Sequence, residues 1–320
     1  MRHNGQREAT ELNEPAGGEA MRRPKLRQRL RARQRILRST AVLPSLFTVS
    51  NGLAGFGAIH FAAKEALDFD ARLANLAVAA WLLFAAMIFD MLDGRLARMT
   101  RRTSDFGGQL DSLCDVVSFG VAPALVMLRA VVAALRQISV VPQVAIERAV
   151  WCVAAVYVAC AALRLARFNV ENEPDESAHM RFKGLPSPGA AAAVAGLILL
   201  FERLVHKEGG GWFTSSWLSE SSARLAGPWA MGLISIVLTG ATLVLALLMV
   251  SRFPYAHLVN QYIRGKRPFN YLVKLVIVVL AALVEPFVTL ALVTVGYAAS
   301  GPVAATVRKL RPKRIAAPSA

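Results

Sequence analysis

Several windows of about 20 residues in this chain are nearly free of charge, and nothing constrains its fold more. A helix of that length crosses a hydrocarbon core of about 30 Å, and in lipid only helices or closed barrels satisfy their own backbone. Hydrophobic residues make up 55% of the 320 and charged residues 18%, against roughly 45–50% apolar in a soluble chain. The predicted class is all-α: a polytopic membrane helix bundle of about eight transmembrane helices, with both termini cytoplasmic.

Residues 1–41 are expected to form a disordered, basic cytoplasmic tail, 42–304 the membrane domain, and 305–320 a second basic tail. Residues 1–20 have almost nothing to bury. Residues 21–40 alternate arginine with leucine and isoleucine, a pattern that suits either a helix on the membrane surface or a solvated tail. No secretory signal is expected ahead of the first apolar run, which has full span length. Spans are predicted near residues 44–63, 73–92, 106–134, 149–168, 184–204 and 228–250. The last apolar stretch, 271–299, is interrupted by Glu285-Pro286. Two short helices there give eight spans, and a single kinked helix gives seven.

The formal net charge is +16, which raises the question of nucleic acid. Its distribution points elsewhere. Nine basic residues and no acid lie between Arg22 and Arg38, and a second cluster runs from Arg308 to Arg314. These runs lack the interleaved aromatics of a base-stacking surface and suit cytoplasmic ends beside anionic lipid. With the N-terminus inside, the tails and inner loops hold 28 of the 37 Lys and Arg, as the positive-inside rule requires. An even number of spans returns the C-terminal tail to the same side. Cys114, Cys152 and Cys160 all sit in apolar stretches, with neither disulfide nor metal-ligand spacing.

Against this apolar background stand four carboxylates in two pairs, Asp90 with Asp93 and Asp111 with Asp115, in FDMLDGRLARMTRRTSDFGGQLDSLCDVV. Spacings of three and four put each pair on one helix face. Ionisable groups at membrane depth are costly and by default functional. Carboxylate oxygens from two helices are the ligand set of hard cations that share their shell with phosphates. Gly94 and Gly107 allow close approach to the backbone, Ser104 stands near a helix N-terminus that favours anions, and Arg98 offers a planar fork. A group transfer also needs a base for the attacking hydroxyl, and Asp115, deepest on its helix, is the candidate. On the first span Thr48 and Asn51 share a face; polar residues there more commonly bond a neighbouring helix.

Asp90, followed by Asp93-Gly94-x2-Ala97-Arg98-x8-Gly107-x3-Asp111-x3-Asp115, resembles the signature of the CDP-alcohol phosphatidyltransferase family at every specified position. Eight specified positions make a chance match on the order of 10⁻¹⁰ per start site. The resemblance implies transfer of a phosphatidyl group from CDP-diacylglycerol to an alcohol, with release of CMP. It implies two divalent cations, Mg²⁺ or Mn²⁺, held by Asp90, Asp93, Asp111 and Asp115, with Asp115 also the base. It further implies donor contacts at Gly94, Ala97, Arg98, Ser104 and Gly107, and at Asn51 on the first span.

The segments LPSLFTVSNGLAGF, LRLARFNV and FKGLPSPGA are similar to those of membrane-integral phosphatidylserine synthases, so L-serine is the expected acceptor. Its carboxylate needs a cation, for which Arg164, Arg167 and Lys183 are candidates; each also suits a topology-setting or headgroup charge. The expected partners are CDP-diacylglycerol, L-serine and membrane lipid, with no nucleic acid; a homodimer is compatible with the sequence. The expected location is the cell (inner) membrane, with the site on the cytoplasmic side. Two alternatives remain open from sequence: another acceptor (glycerol 3-phosphate, an inositol phosphate or choline) and, from a different class, an ion or proton transporter. A transporter calls for acids spread through the depth of the membrane, whereas these cluster at one face.

Overall fold

The computed structural model describes residues 45–100, 105–138, 143–171, 184–205, 227–253, 255 and 269–310. Both predicted tails, apart from 305–310, fall outside these residues, as do Ser104 and Lys183. All the regular structure described is helical. The helices are α1 (Ser45–Ala63), α2 (Phe69–Thr100), α3 (Asp105–Asp115), α4 (Ala122–Leu135), α5 (Gln143–Glu171), α6 (Ser187–Val205), α7 (Pro228–Val250), α8 (Phe269–Val284) and α9 (Pro286–Leu310). A π-helical segment, Val116–Val121, joins α3 to α4, so Phe106–Leu135 runs as one span.

Seven helices among the described residues are long and apolar enough to cross a membrane. The break at Glu285-Pro286 does give two helices, because a proline has no N–H to continue the ladder. The first of them, α8, has only 16 residues, just under the usual 17–25 for a span. The predicted eight are therefore seven full-length spans and one short apolar helix. Glu285 itself is buried at the break, with an Oε1 3.7 Å from Nη2 of Arg203 near the end of α6.

Two spans form the centre of the bundle. The carboxylate-bearing span 106–135 is 61% buried and α6 56%, against 17% for the outer α9. Helix α6 packs against α2, α4, α7 and α9, while α5 packs against α4 and α7. Small residues permit this: Ala190, Ala191, Ala193, Val194 and Ala195 of α6 are fully buried, and close backbone approach is what association in lipid relies on. Large apolar side chains point outward instead, among them Ile277, Leu280 and Leu283 of α8.

The turn entering α6 is fixed by backbone geometry. Gly184 has φ +97, a region open to glycine but strained for other residues. Its N–H donates to Phe253 O at 2.9 Å, and the Leu185 N–H donates to Leu248 O at 3.0 Å, tying the turn to the end of α7. A Cβ on Gly184 would collide with the carbonyl oxygen of Met249 and lie 2.9 Å from that of Ser251. Gly184→Ala is expected to destabilise the protein by about 1–3 kcal/mol, read as a lower melting temperature in detergent. Gly240→Ala, where a Cβ meets nothing within 4 Å, is the matched control and should not lower it.

Candidate functional site

Helix α1 lies almost in van der Waals contact with the backbone of the carboxylate span. A Cβ on Gly55 would stand 2.6 Å from the Cα of Ser118, and one on Gly52 would stand 2.9 Å from Cys114 Sγ. The π segment is clasped from two sides: Ser118 Oγ donates to Asn51 O at 2.9 Å, and Tyr157 OH of α5 donates to Phe119 O at 3.4 Å. Single π turns inside α-helices often mark functional positions, and this one starts directly after Asp115.

That contact aims the polar face of α1 at the acids. Asn51, fully buried, donates from Nδ2 to Asp115 Oδ1 at 2.9 Å. Thr48, one turn earlier, donates from Oγ1 to Asp93 Oδ2. The shared face is thus a helix–helix contact whose partners are the carboxylates themselves.

Asp90 of α2 converges with Asp111 and Asp115 of α3, each offering a carboxylate oxygen within 4.8 Å of the others. Asp93 is buried beside them but lies outside this group of three, turned to Thr48. Three hard oxygen donors so close, in a low-dielectric setting, repel one another unless a cation or protons intervene. Among the described residues Asp111 Oδ1 and Asn51 Oδ1 are moreover buried without a hydrogen-bond partner, an arrangement that calls for an explanation such as an ion or a ligand. The donor set therefore fits a hard divalent cation.

A second wall comes from α5. Arg164 donates from Nε to Leu185 O at 2.7 Å and from Nη1 to Ser187 Oγ at 3.1 Å, and it lies within electrostatic reach of Asp90 and Asp115. Arg167, half-buried, follows three residues later. Asn169 donates from Nδ2 to Ser112 Oγ at 2.9 Å, tying the end of α5 to α3 between the two aspartates. Helix α2 continues to Thr100, so Gly94, Ala97 and Arg98 occupy its last turns rather than a loop; of Ala97 and Arg98 only the backbone is described. Among the described residues a Cβ on Gly94 would meet nothing within 4 Å, so their packing does not demand the glycine. Gly107 falls in the first turn of α3. Sequence reasoning did not find the Thr48–Asp93 bond, the Ser112–Asn169 bond, the π segment or the hold of Arg164 on the α6 turn. The available signal was the pairing of α1 glycines with small residues one turn apart on the carboxylate span.

A sequence model of the CDP-alcohol phosphatidyltransferases matches residues 41–231, which include every aspartate, arginine and glycine just described. The chain belongs to the CDP-alcohol phosphatidyltransferase family. It is similar to CDP-diacylglycerol–serine O-phosphatidyltransferases: 35% identical over 190 residues to that of Mycobacterium tuberculosis, covering 58% of each chain. To that of Helicobacter pylori it is 36% identical over 168 residues, 52% of this chain and 62% of the relative. The archaetidylserine synthase of Methanothermobacter thermautotrophicus is 35% identical over 163 residues, 50% of this chain and 59% of that one. The chain thus spans little more than half the length of the curated relatives it matches.

If the three carboxylates hold a cation, Asp111→Asn should remove binding of Mn²⁺ by the purified protein, followed by its paramagnetic resonance signal. Asn51→Ala, which frees Asp115 to turn, should weaken it by about 10–100-fold, the usual cost of losing a group that orients a ligand. Undiminished Mn²⁺ binding in Asp111→Asn would place the cation elsewhere.

Proposed function

We propose that this protein transfers the phosphatidyl group of CDP-diacylglycerol to the hydroxyl of L-serine, giving phosphatidylserine and CMP. The observation that carries the reading is the convergence of Asp90, Asp111 and Asp115 within 4.8 Å at one end of a membrane helix bundle. The serine synthases among its relatives support the choice of acceptor.

In this reading Asp90, Asp93, Asp111 and Asp115 hold two divalent cations, Mg²⁺ or Mn²⁺. When bound, such ions offset the charge of a pyrophosphate and of the leaving group. The chain's own residues do the rest. Asn51 fixes the rotamer of Asp115 through Oδ1, so that the other oxygen faces the acceptor. Asp115 takes the proton of the serine hydroxyl, and the serine oxygen bonds to the phosphorus that carries the diacylglycerol. The bond from that phosphorus to the bridging oxygen breaks, and CMP leaves with the oxygen. The open space at Gly94 admits the donor's phosphate against α2, with Ala97, Arg98, Ser104 and Gly107 completing the donor contacts. Arg164, already oriented by Leu185 O and Ser187 Oγ, receives the serine carboxylate, with Arg167 and Lys183 as the other candidates for that role. Acyl chains stay in lipid between helices.

The working unit is residues 42–304, in the cell (inner) membrane with the aspartates at the cytoplasmic face, the side on which a positive-inside topology puts the basic tails. A transporter reading is disfavoured because all four aspartates gather at one end of the bundle rather than through its depth. The test is CMP release from CDP-diacylglycerol by purified protein with Mn²⁺ or Mg²⁺ and a panel of alcohols. Release with serine alone, absent with chelator, is expected; release with glycerol 3-phosphate, inositol phosphate or choline instead would overturn the acceptor. Asp115→Asn should lower turnover by at least about 10²-fold, the lower bound for losing a general base. Arg98→Ala should weaken CDP-diacylglycerol binding.

A further inference from the structure

At the end of the bundle opposite the aspartates, where α1 ends, α2 begins and α4 ends, lies a cavity of about 60 Å³. Arg72 is 18 residues before Asp90 on α2, about 27 Å along the helix, so this cavity is no part of the carboxylate site. Its polar lining is Lys64, Glu65, Arg72, Asn75, Arg129 and Arg136: four cations facing one carboxylate. Among the described residues none of the four makes an ion pair, and Glu65 is the one carboxylate on the lining to offset them. The remaining walls are apolar.

Two of the arginines are already oriented. Arg129 donates from Nε to Ala62 O at 3.2 Å and from Nη2 to Ala63 O at 3.4 Å, and Arg72 donates from Nε to Ala66 O at 2.9 Å. The Arg129 bonds cap the carbonyl end of α1, the Arg72 bond holds the connection to α2, and together they pin both guanidinium planes, leaving Nη1 of Arg129 and both Nη atoms of Arg72 without protein acceptors among the described residues. A planar guanidinium with free N–H groups matches phosphate oxygens in pairs. The volume is several times the roughly 10–15 Å³ that one water needs, enough for a small tetrahedral anion. Lys64 and Arg136 stand at the C-terminal ends of α1 and α4, where a cation suits the helix dipole, and both add positive charge to the same cavity. Positive charge at this end also runs against the asymmetry of the rest of the chain, where outer loops are poor in Lys and Arg.

We propose that this cavity binds a phosphate group, supplied by an anionic phospholipid headgroup or by free phosphate, at a site separate from the transfer reaction. The test uses the full-length protein and the double variant Lys64→Gln/Arg136→Gln, which leaves Arg72 and Arg129 in place, with Arg129→Lys as a second variant that keeps charge but loses the fork. In one arm, melting temperature and co-purifying lipid (by native mass spectrometry) are compared in phosphatidylcholine nanodiscs with and without phosphatidylglycerol. In the other, inorganic phosphate replaces chloride at fixed ionic strength in detergent. Stabilisation by a few degrees in wild type, at least halved in both variants, is the expected result. A shift with lipid alone identifies a headgroup, and a shift with inorganic phosphate alone identifies a free anion. CMP release in detergent should be unchanged in the double variant, which separates this cavity from the aspartate site. No shift in wild type, or equal shifts in wild type and variants, would overturn the proposal.

Discussion

A carboxylate at membrane depth must be met by donors, a cation or a proton, and the arrangement around α3 follows from meeting that demand at four aspartates. Two are answered by neutral donors on α1, Thr48 to Asp93 and Asn51 to Asp115. Such short side chains reach only if the helices nearly touch. That is why Gly52 and Gly55 stand opposite Cys114 and Ser118, with no room for a Cβ at the second. Replacing either glycine would push α1 outward and strand the acids, so the packing and the chemistry of this region depend on one contact.

The same contact accounts for the π segment. Widening the helix after Asp115 disturbs the regular ladder, and the structure meets that cost from outside. Ser118 turns its hydroxyl to Asn51 O, and Tyr157 reaches Phe119 O from α5. Asp115 is thereby set at the last regular turn before a distortion held by two neighbouring helices. On the other side Arg164 links the site to the turn at Gly184, which is itself bonded to the end of α7. Five spans thus bear directly or through one intermediary on three carboxylates.

Much of this was legible in the sequence because lipid leaves few options. Charge-free windows fixed the helical class and nearly all the spans, and the spacing of the four aspartates fixed which faces carry them. Glu285-Pro286 marked a true break, yet hydropathy alone could not say that α8 would stop at 16 residues. The polar stretch after Asp93 read as a connection, but arginine, leucine and alanine are good helix formers, and α2 runs on to Thr100. Thr48 and Asn51 were visible as a polar face without a partner, since which helix a face meets is a tertiary fact. The π segment left no mark in composition: VVSFGV reads like any apolar helical run, and what distorts it is contact with α1 and α5.

The choice of neutral partners for the aspartates has a consequence for what the site can hold. Had arginines or lysines paired with Asp90, Asp111 and Asp115, the acids would be stable alone and a metal would have to displace a cation already in place. Asparagine and threonine instead supply one hydrogen bond each and no charge. The nearest cation, Arg164, spends two of its donors on Leu185 O and Ser187 Oγ, and among the described residues it forms no ion pair with any of the four. Two of the four carboxylates are therefore oriented by hydrogen bonds, and none has its charge balanced by an ion pair among the described residues. A site built that way is poised to take up hard cations and the phosphates that travel with them, and it is held in shape by hydrogen bonds that do not compete with them.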